Sequence, residues 1–384
     1  MDPPSRPGAA LAHELMRAFA RDTGLVGEGP PRRYLWTDAF AVCNFLGEHR
    51  ELGDPEALAL RLVDQVHEVL GRHRADDSRR GWISGLPAAA AEQHPTRGGL
   101  RIGKELPERG PEEPLEPRLE WDRDGQYFHY LTRWMHALRR VAEENGAPRY
   151  LRWARELAVA AHSGFVSAPP AGGRPRMRWK MSIDLSRALV PSMGHHDPLD
   201  ALVTYLELQT SAPAAGHEES GPDLTAAIAD AEAMCGAADW ATEDPLGIGG
   251  LLIDSALLAR LVVRRGAAQR PLLRRLLADA LSSLQAFAAA DPLRPPREHR
   301  LAFRELGLAI GLHAVAWTAP LAAADPEIGA AVERLHPWFP LAGRIEAAWI
   351  DPAARHSPAW QAHRDINSVM LATSLAPAGF LGQA

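Results

Sequence analysis

The amino-acid sequence predicts a protein that is almost entirely α-helical. Apolar residues recur at three- and four-residue spacing in several segments, and no neighbouring segments show the sustained alternation that predicts a β-sheet. The 384-residue chain is 46% hydrophobic and 23% charged, which is typical of a globular protein with a large core. Its formal net charge of −6, without a long basic stripe to neutralise phosphates, argues against a nucleic-acid partner.

Four apolar stripes predict helices along the chain. They lie at 58–70, 131–141, 151–161 and 272–284. Short turns separate such segments, because glycine suits the left-handed residue after one helix and proline suits the first turn of the next. The predicted turns are 53–55, 146–148, 266–271 and 325–326. Each pair of helices with its turn is therefore predicted to be a helical hairpin.

One apolar segment, 306–324, is long enough to be considered as a membrane span. It has no formally charged residue at neutral pH, but a lone span would bury His313 and would break its helix at Pro320. We therefore expect a buried helix and no membrane partner. The N-terminus has no secretory signal pattern, and Cys43 and Cys235 are too few for a disulfide framework or a cysteine-based zinc site. A reducing, cytoplasmic location is expected.

Two long loops, 81–117 and 164–200, interrupt the helical pattern. Both contain tryptophan and ionisable groups, so we expect ordered loops that carry function. A shorter acidic stretch, 211–223, is expected to be a mobile surface loop. The glycines within 247–250 do not match a nucleotide-binding fingerprint, because no strand precedes them and their spacing differs.

The segment 145–158 (NGAPRYLRWARELA) resembles the helix-opening phrase of six-hairpin, (α/α)6-barrel carbohydrate enzymes, and 52–58 (LGDPEAL) is similar. Such barrels occur in several glycoside hydrolases, in unsaturated glucuronyl hydrolases and in the N-acylglucosamine 2-epimerase group. The resemblance implies one all-α (α/α)6-barrel domain, a six-hairpin toroid, over 30–384 after an N-terminal extension or first helix at 1–29. It also implies apolar inner helices, amphipathic outer helices, long loops over one mouth of the barrel, and a site at that mouth.

The densest cluster of polar and aromatic residues lies at 120–136. Asp122 or Asp124 can begin a helix, along which Gln126, His129 and Arg133 would share one face. Carboxylates, an amide and an imidazole next to aromatic rings are what a sugar site needs. Trp121 and Trp134 are the candidate aromatic binding residues. The alternative is an N-capping aspartate with a surface ion pair.

A second cluster lies at 179–200 and contains Lys180, Asp184, His195, His196 and Asp197. Adjacent histidines rarely point at one metal ion, so we expect no metal site here. An imidazole held by a carboxylate is better suited to acid–base chemistry near neutral pH. The alternative is an aspartate N-cap with exposed histidines.

The remaining candidates lie near the two ends of the chain and in the apolar helix. They are Trp36, Asp38, Arg304, His313, Arg364, Asp365 and Asn367. Asp38 in an apolar run needs a partner, and a late polar residue could provide it. The alternatives are a structural Asp–Arg pair between the first and last helices and a core histidine at position 313.

The leading hypothesis is a glycoside hydrolase that uses paired carboxylates from Asp122, Asp124, Asp184 and Asp197, with Asp124 as one of the pair and His195 as a further catalytic candidate. The first alternative is a sugar epimerase or isomerase that uses two histidines. The second is a non-catalytic toroid that binds a partner. The expected ligand is a small molecule or oligosaccharide, no cofactor is expected, and the oligomeric state is left open. Asp124 and His129 are expected to face the same cavity as Asp184 or His195.

Overall fold

A computed structural model describes residues 7–47, 55–167, 173–211, 221–236, 238–322 and 324–382 of the chain. Helices dominate these ranges, and the named strands within them form two small antiparallel pairs of two residues each. The predicted all-α fold class is therefore confirmed. The first helix is α1 (Pro7–Asp22). The chain divides into two compact units, which we call the N-terminal unit (residues 20–237) and the C-terminal unit (residues 1–19 with 238–384).

The N-terminal unit is built from helical hairpins. Its helices are α2 (Leu35–Gly47), α3 (Pro55–Leu70), α4 (Ala88–Gln93), α5 (Pro117–Glu120), α6 (Phe128–Asn145), α7 (Pro148–Phe165), α8 (Asp197–Thr210) and α9 (Thr225–Cys235). Helices α2, α6 and α8 pack side by side in this order. Helix α3 packs on α2, α7 packs on α6, and α9 packs on α8. Strand β1 (Gln126–Tyr127) pairs with β4 (Lys180–Met181), and β2 (Val166–Ser167) pairs with β3 (Arg176–Met177).

The C-terminal unit also has a central row of helices. Its helices are α10 (Pro245–Arg265), α11 (Arg270–Ala290), α12 (Ala302–Ala322), α13 (Pro326–Glu333), α14 (Pro340–Ile350), α15 (Pro352–Arg355), α16 (Pro358–Gln361), α17 (Arg364–Leu375) and α18 (Ala378–Leu381), with 3-10 turns at Arg297–His299 and His336–Trp338. Helix α12 packs between α10 and α17, α11 covers α10, and α14 packs on α12. The single barrel domain over 30–384 and the extension at 1–29 stay predictions.

The local sequence signals explain where the helices begin and end. All four predicted stripes lie within helices, namely α3, α6, α7 and α11. Gly146 ends α6 with a φ of 72°, and Pro148 begins α7. Asp325 caps α13 by accepting hydrogen bonds from the backbone N–H groups of Glu327 and Ile328. The predicted turn at 53–55 lies mostly outside the described residues, which resume at Pro55.

Helices α10 and α12 touch each other through their backbones. A Cβ atom at Gly249 would overlap the carbonyl group of Gly307, and one at Gly311 would lie 2.6 Å from the carbonyl oxygen of Gly249. Small residues at a crossing permit this approach. Among the glycines at the start of α10, Gly249 is thus explained by helix packing.

The apolar segment predicted at 306–324 lies largely in α12, whose residues Leu306, Ala309 and Ile310 are fully buried. Within the described ranges one helix, α10, is long and apolar enough to cross a membrane by length and composition. Its apolar window is 72% buried inside the protein, as is usual for a core helix.

The two predicted long loops are ordered where they are described. The first contains α4, ends at the first residue of α5, and places Leu100 and Ile102 in the core. The second contains β3 and β4, although its residues 168–172 lie outside the described part. Most of the predicted mobile loop at 211–223 also lies outside it, because 212–220 are not described.

Candidate active site

The first turns of three helices meet in the N-terminal unit. Trp36 is the second residue of α2, His129 is the second residue of α6, and Asp197 is the first residue of α8. The ring centroids of Trp36 and His129 lie 5.9 Å apart, and Nδ1 of His129 lies 3.7 Å from Oδ1 of Asp197. Since helix N-termini carry a partial positive charge, their meeting suits oxygen-rich ligands.

Asp197 is a buried carboxyl group with little to stabilise a negative charge. The residue is 5% exposed, and its Oδ2 atom has no hydrogen-bond partner within the described residues. Burial, together with the nearby carboxylate of Asp200, raises the pKa of Asp197 well above its usual value. Gly194 packs so closely that a Cβ atom there would overlap Oδ2 of Asp197. Asp197 therefore holds its proton where an exposed aspartate would have lost it.

His129 is the neighbour of this carboxyl group and is half-buried. Its side chain is 32% exposed. Burial of the imidazole among packed side chains lowers the pKa of His129 to about 4, with Asp200 opposing and Arg133 reinforcing this shift. At neutral pH the imidazole of His129 is therefore uncharged, and it faces a carboxyl group whose pKa is raised.

An ion pair one helical turn further along ties the same two helices together. Arg133 follows His129 by four residues on α6, and Asp200 follows Asp197 by three residues on α8. Nη2 of Arg133 lies 2.5 Å from Oδ1 of Asp200. Both side chains are buried, so the pair is poorly screened by solvent. It fixes α6 against α8 directly behind His129 and Asp197.

Aromatic side chains surround His129. The Tyr127 ring stacks on the imidazole with 5.6 Å between centroids and 13° between planes, and the Tyr130 ring meets its edge at 4.8 Å. Trp36 adds a third ring. Neither Nε1 of Trp36 nor the hydroxyl of Tyr127 has a hydrogen-bond partner within the described residues. Rings beside unpartnered polar groups match a sugar, which offers both apolar faces and hydroxyls.

Asp124, the leading carboxylate of the sequence analysis, lies in a different environment. Oδ2 lies 2.5 Å from Arg101 and 3.5 Å from Arg74, and Oδ1 accepts a hydrogen bond from the backbone N–H of Gly103 at 3.0 Å. The residue is fully buried. These contacts indicate that Asp124 holds the 98–104 loop, and its predicted catalytic role rests on the sequence alone.

The predicted start of a helix at Asp122 or Asp124 is wrong. Helix α6 begins at Phe128, and Gln126 belongs to β1. The carboxylate of Asp124 binds loop groups instead of capping a helix. Of the three residues predicted to share one helix face, His129 and Arg133 lie on α6, whereas Gln126 lies outside it.

Asp184 lines two surface cavities of about 1140 Å³ and about 400 Å³. Burial raises its pKa, but hydrogen bonds from Ser186 and Ser182 and the charge of Arg79 outweigh this and leave it at about 2. The carboxylate is therefore ionised. Asp124 and His129 line neither cavity, so the expectation that they share one with Asp184 finds no support in these two cavities.

Several predicted binding residues have structural partners. Gln126 accepts a hydrogen bond from the N–H of Leu100 and donates to the carbonyl oxygens of Gly98 and Ile183. Trp134 is buried and donates to Nε2 of His67 at 3.1 Å. These contacts favour roles in holding the fold.

Other predicted residues of this unit differ mainly in exposure. Asp38 is buried and accepts a hydrogen bond from the N–H of Tyr34, while Lys180 is fully buried. Trp121 and Asp122 are exposed. His195 is exposed, His196 is half-buried, and their rings lie 4.6 Å apart just before Asp197.

The predicted residues of the C-terminal unit have partners within that unit. Arg304 pairs with Asp244 at 2.5 Å, His313 pairs with Glu346 at 2.7 Å, and Arg364 lies 3.5 Å from Asp365. The buried amide of Asn367 accepts a hydrogen bond from the N–H of Phe303 and donates to the carbonyl oxygen of Trp360. Their roles in binding stay predictions.

Sequence reasoning left Tyr127, Gly194 and Asp200 out of the site. Asp197 and Asp200 are spaced like His129 and Arg133, one turn apart, so the two pairs could have been matched as facing helix turns. Nothing local marks Tyr127, which comes from a two-residue strand. Within the described ranges, no group of three or more His, Cys, Asp or Glu side chains is placed to hold a metal ion.

No protein-family model matches the chain, and no curated protein matches it at the significance applied. Among solved structures, the chain is similar to a sugar epimerase from a ruminal bacterium, with 11% sequence identity and a TM-score of 0.49. The match covers 96% of this chain and 98% of that one. A likeness at this level gives no basis for transferring an activity.

Proposed function

We propose that the protein is a carbohydrate-active enzyme that moves a proton on a sugar, as an epimerase or an isomerase does. The observation that carries the proposal is the half-buried imidazole of His129 beside the buried carboxyl group of Asp197, which has one oxygen without a hydrogen-bond partner within the described residues. An uncharged imidazole beside a carboxyl group whose pKa burial raises is an arrangement suited to reversible proton transfer.

The chemistry can be followed proton by proton. Nδ1 of His129 faces Asp197, which leaves Nε2 to take the proton from the carbon beside the carbonyl group of an open-chain sugar. Asp197 gives its proton to the carbonyl oxygen, and an enediol results. An epimer forms when a second acid delivers a proton to the same carbon from the opposite face and Asp197 takes back the proton on the former carbonyl oxygen. An isomer forms when His129 delivers its proton to the former carbonyl carbon and Asp197 takes the proton from the neighbouring hydroxyl.

The surroundings of the pair favour a sugar as substrate. Half-buried Tyr130 offers its ring to the apolar face of a pyranose or to the carbon chain of its open form, and the buried rings of Trp36 and Tyr127 pack around His129 beside it. The N-terminal ends of α2, α6 and α8 favour hydroxyl and carbonyl oxygens. His196, directly before Asp197, is the nearest histidine in sequence that could act as a second base for epimerisation.

Glycoside hydrolysis is the second candidate, because the protonated Asp197 could serve as a general acid with Asp200 as its carboxylate partner. The two residues lie one turn apart on the same helix, and Asp200 is bound to Arg133. A hydrolase needs its carboxyl groups on either side of the scissile bond. The geometry therefore supports proton transfer better than hydrolysis.

The test is exchange of carbon-bound hydrogen with deuterated water. Aldoses and ketoses are incubated with the protein in D₂O, and nuclear magnetic resonance follows deuterium at the first two carbons and any new sugar. We expect exchange by the wild-type protein and a decrease of about 10²- to 10⁴-fold in both His129→Gln and Asp197→Asn. The rate should also fall toward pH 4, where His129 becomes protonated.

The matched controls are His299→Gln and Glu298→Gln, which change exposed groups on the 3-10 turn of the C-terminal unit and should exchange at the wild-type rate. Release of reducing ends from glycosides, lost in Asp197→Asn but retained in His129→Gln, would instead support hydrolysis. Absence of exchange with every sugar tried would overturn proton transfer.

A further inference from the structure

An exposed indole near the proposed site has no role in the chemistry described so far. Trp121 follows α5 and is 57% exposed, although tryptophan usually buries most of its surface. Its ring lies 5.1 Å from that of Trp179, with 34° between the planes. The Trp179 ring lies 5.2 Å from that of Tyr127, which stacks on His129. A series of ring contacts therefore links exposed Trp121, through half-buried Trp179 and buried Tyr127, to the proposed base.

A buried lysine holds the turn that presents Trp121. Nζ of Lys180 donates to the carbonyl oxygens of Glu120 at 2.5 Å and Arg123 at 2.9 Å, on either side of the indole in the chain. It also pairs with the carboxylate of Glu120 at 2.8 Å, and that carboxylate binds Arg109 at 3.0 Å. Burying an ammonium group is costly unless it is paired and hydrogen-bonded, and Lys180 has two hydrogen bonds and a carboxylate partner. The result is a rigid turn under an exposed ring.

The second indole is fixed as well. Nε1 of Trp179 donates to Oγ of Ser192 at 2.8 Å. Trp179 directly precedes β4, which pairs with β1 and so joins the indole to the strand that carries Tyr127. Rigid aromatic side chains held before binding lose little conformational entropy when a ligand packs on them, which is a property of binding surfaces.

We propose that Trp121 and Trp179 form a binding site for a second sugar ring, so that the substrate is a disaccharide or a longer oligosaccharide. This inference rests on the proposed function, because it takes the reacting ring to lie at His129. The pyranose face packs on the two indoles, and the exposed carboxylate of Asp122, next to Trp121, accepts hydrogen bonds from its hydroxyls.

The experiment measures binding separately from turnover. Dissociation constants for glucose, galactose, maltose and lactose are measured by calorimetry on the full chain carrying His129→Gln, which removes the proposed base and prevents conversion during the titration. The same titrations are repeated with Trp121→Ala and Trp121→Tyr added. Leu115→Ala is the control, because Leu115 is another exposed hydrophobic residue in the preceding loop.

We expect at least one disaccharide to bind at least 10-fold more tightly than its monosaccharides. Trp121→Ala should weaken that disaccharide about 10-fold, as expected for loss of a stacking ring, while monosaccharide affinity changes less than about 2-fold. Trp121→Tyr should restore part of the loss, and Leu115→Ala should have no effect. The proposal is overturned if Trp121→Ala weakens both kinds of sugar equally, if it weakens neither, or if no disaccharide binds. Because the titrations need no turnover, failure of proton transfer in the exchange experiment is a separate result.

Discussion

Two buried aspartates of the N-terminal unit are surrounded in opposite ways. Asp124 contacts two arginines and the backbone N–H of Gly103, so both oxygens of its carboxylate are held. Asp197 faces one imidazole at 3.7 Å and keeps one oxygen without a hydrogen-bond partner in the described residues. The first arrangement stabilises a charge and fixes a loop, whereas the second stabilises a proton and leaves a group available for chemistry.

Replacing Asp124 is expected to have the largest effect on stability. Asp124→Asn leaves the buried guanidinium of Arg101 without a counter-charge, which should lower the free energy of unfolding by about 3–5 kcal/mol. Asp197→Asn replaces a carboxyl group whose pKa burial raises by a neutral amide of similar size, and should cost less than about 1 kcal/mol. Urea denaturation measures both. Exposed Asp122→Asn is the control, and an equal loss in the two buried variants would contradict the contrast.

The same contrast extends to histidines and predicts a pH dependence. His67 is buried and accepts a hydrogen bond from Trp134, and burial lowers its pKa from 6.5 to about 3, whereas the pKa of half-buried His129 is lowered less, to about 4. Between pH 6.5 and about 3, the imidazole of His67 is protonated in the unfolded state but not in the folded state. The free energy of unfolding that His67 contributes above pH 6.5 is therefore lost as the pH falls toward 3.

His67→Gln, which keeps an acceptor for the indole N–H, removes this titration. The slope of unfolding free energy against pH should therefore decrease by up to about 1.4 kcal/mol per pH unit in that range. Unfolding curves at pH 4, 5, 6 and 7 for both proteins measure the difference. Identical slopes would show that His67 does not resist protonation.

The smallest expected effect on stability comes from replacing Gly194, which packs against the carboxyl group of Asp197. The φ of Gly194 is not positive, so its backbone admits alanine, but the added Cβ atom would overlap Oδ2 of Asp197 and displace the carboxyl group. Gly194→Ala should slow sugar proton exchange about 10-fold while changing stability by less than about 1 kcal/mol. Gly250→Ala, where a Cβ would meet nothing within 4 Å, is the control. Unchanged exchange in Gly194→Ala would mean that the position of Asp197 does not matter.

The sequence was sufficient for the helices but not for the distinction between the two aspartates. Helical stripes and turn residues are local signals, and the predicted segments lie in α3, α6, α7 and α11. The state of Asp124 depends on Arg101, 23 residues earlier in a loop with no periodic pattern. Lys180 illustrates the same limit, because the partners that bury its charge are carbonyl groups at positions 120 and 123. Spacing alone does not encode such contacts.

The backbone contact between α10 and α12 has a consequence for where the C-terminal unit can bind anything. Where Gly249 and Gly311 meet the opposite helix, no side chain separates the two backbones, so this stretch encloses no space for a ligand and offers no functional group. Polar pairs lie on either side of this crossing, namely Asp244–Arg304 where the helices begin and His313–Glu346 further along α12. Close packing at the crossing therefore leaves any binding by these two helices to groups outside it.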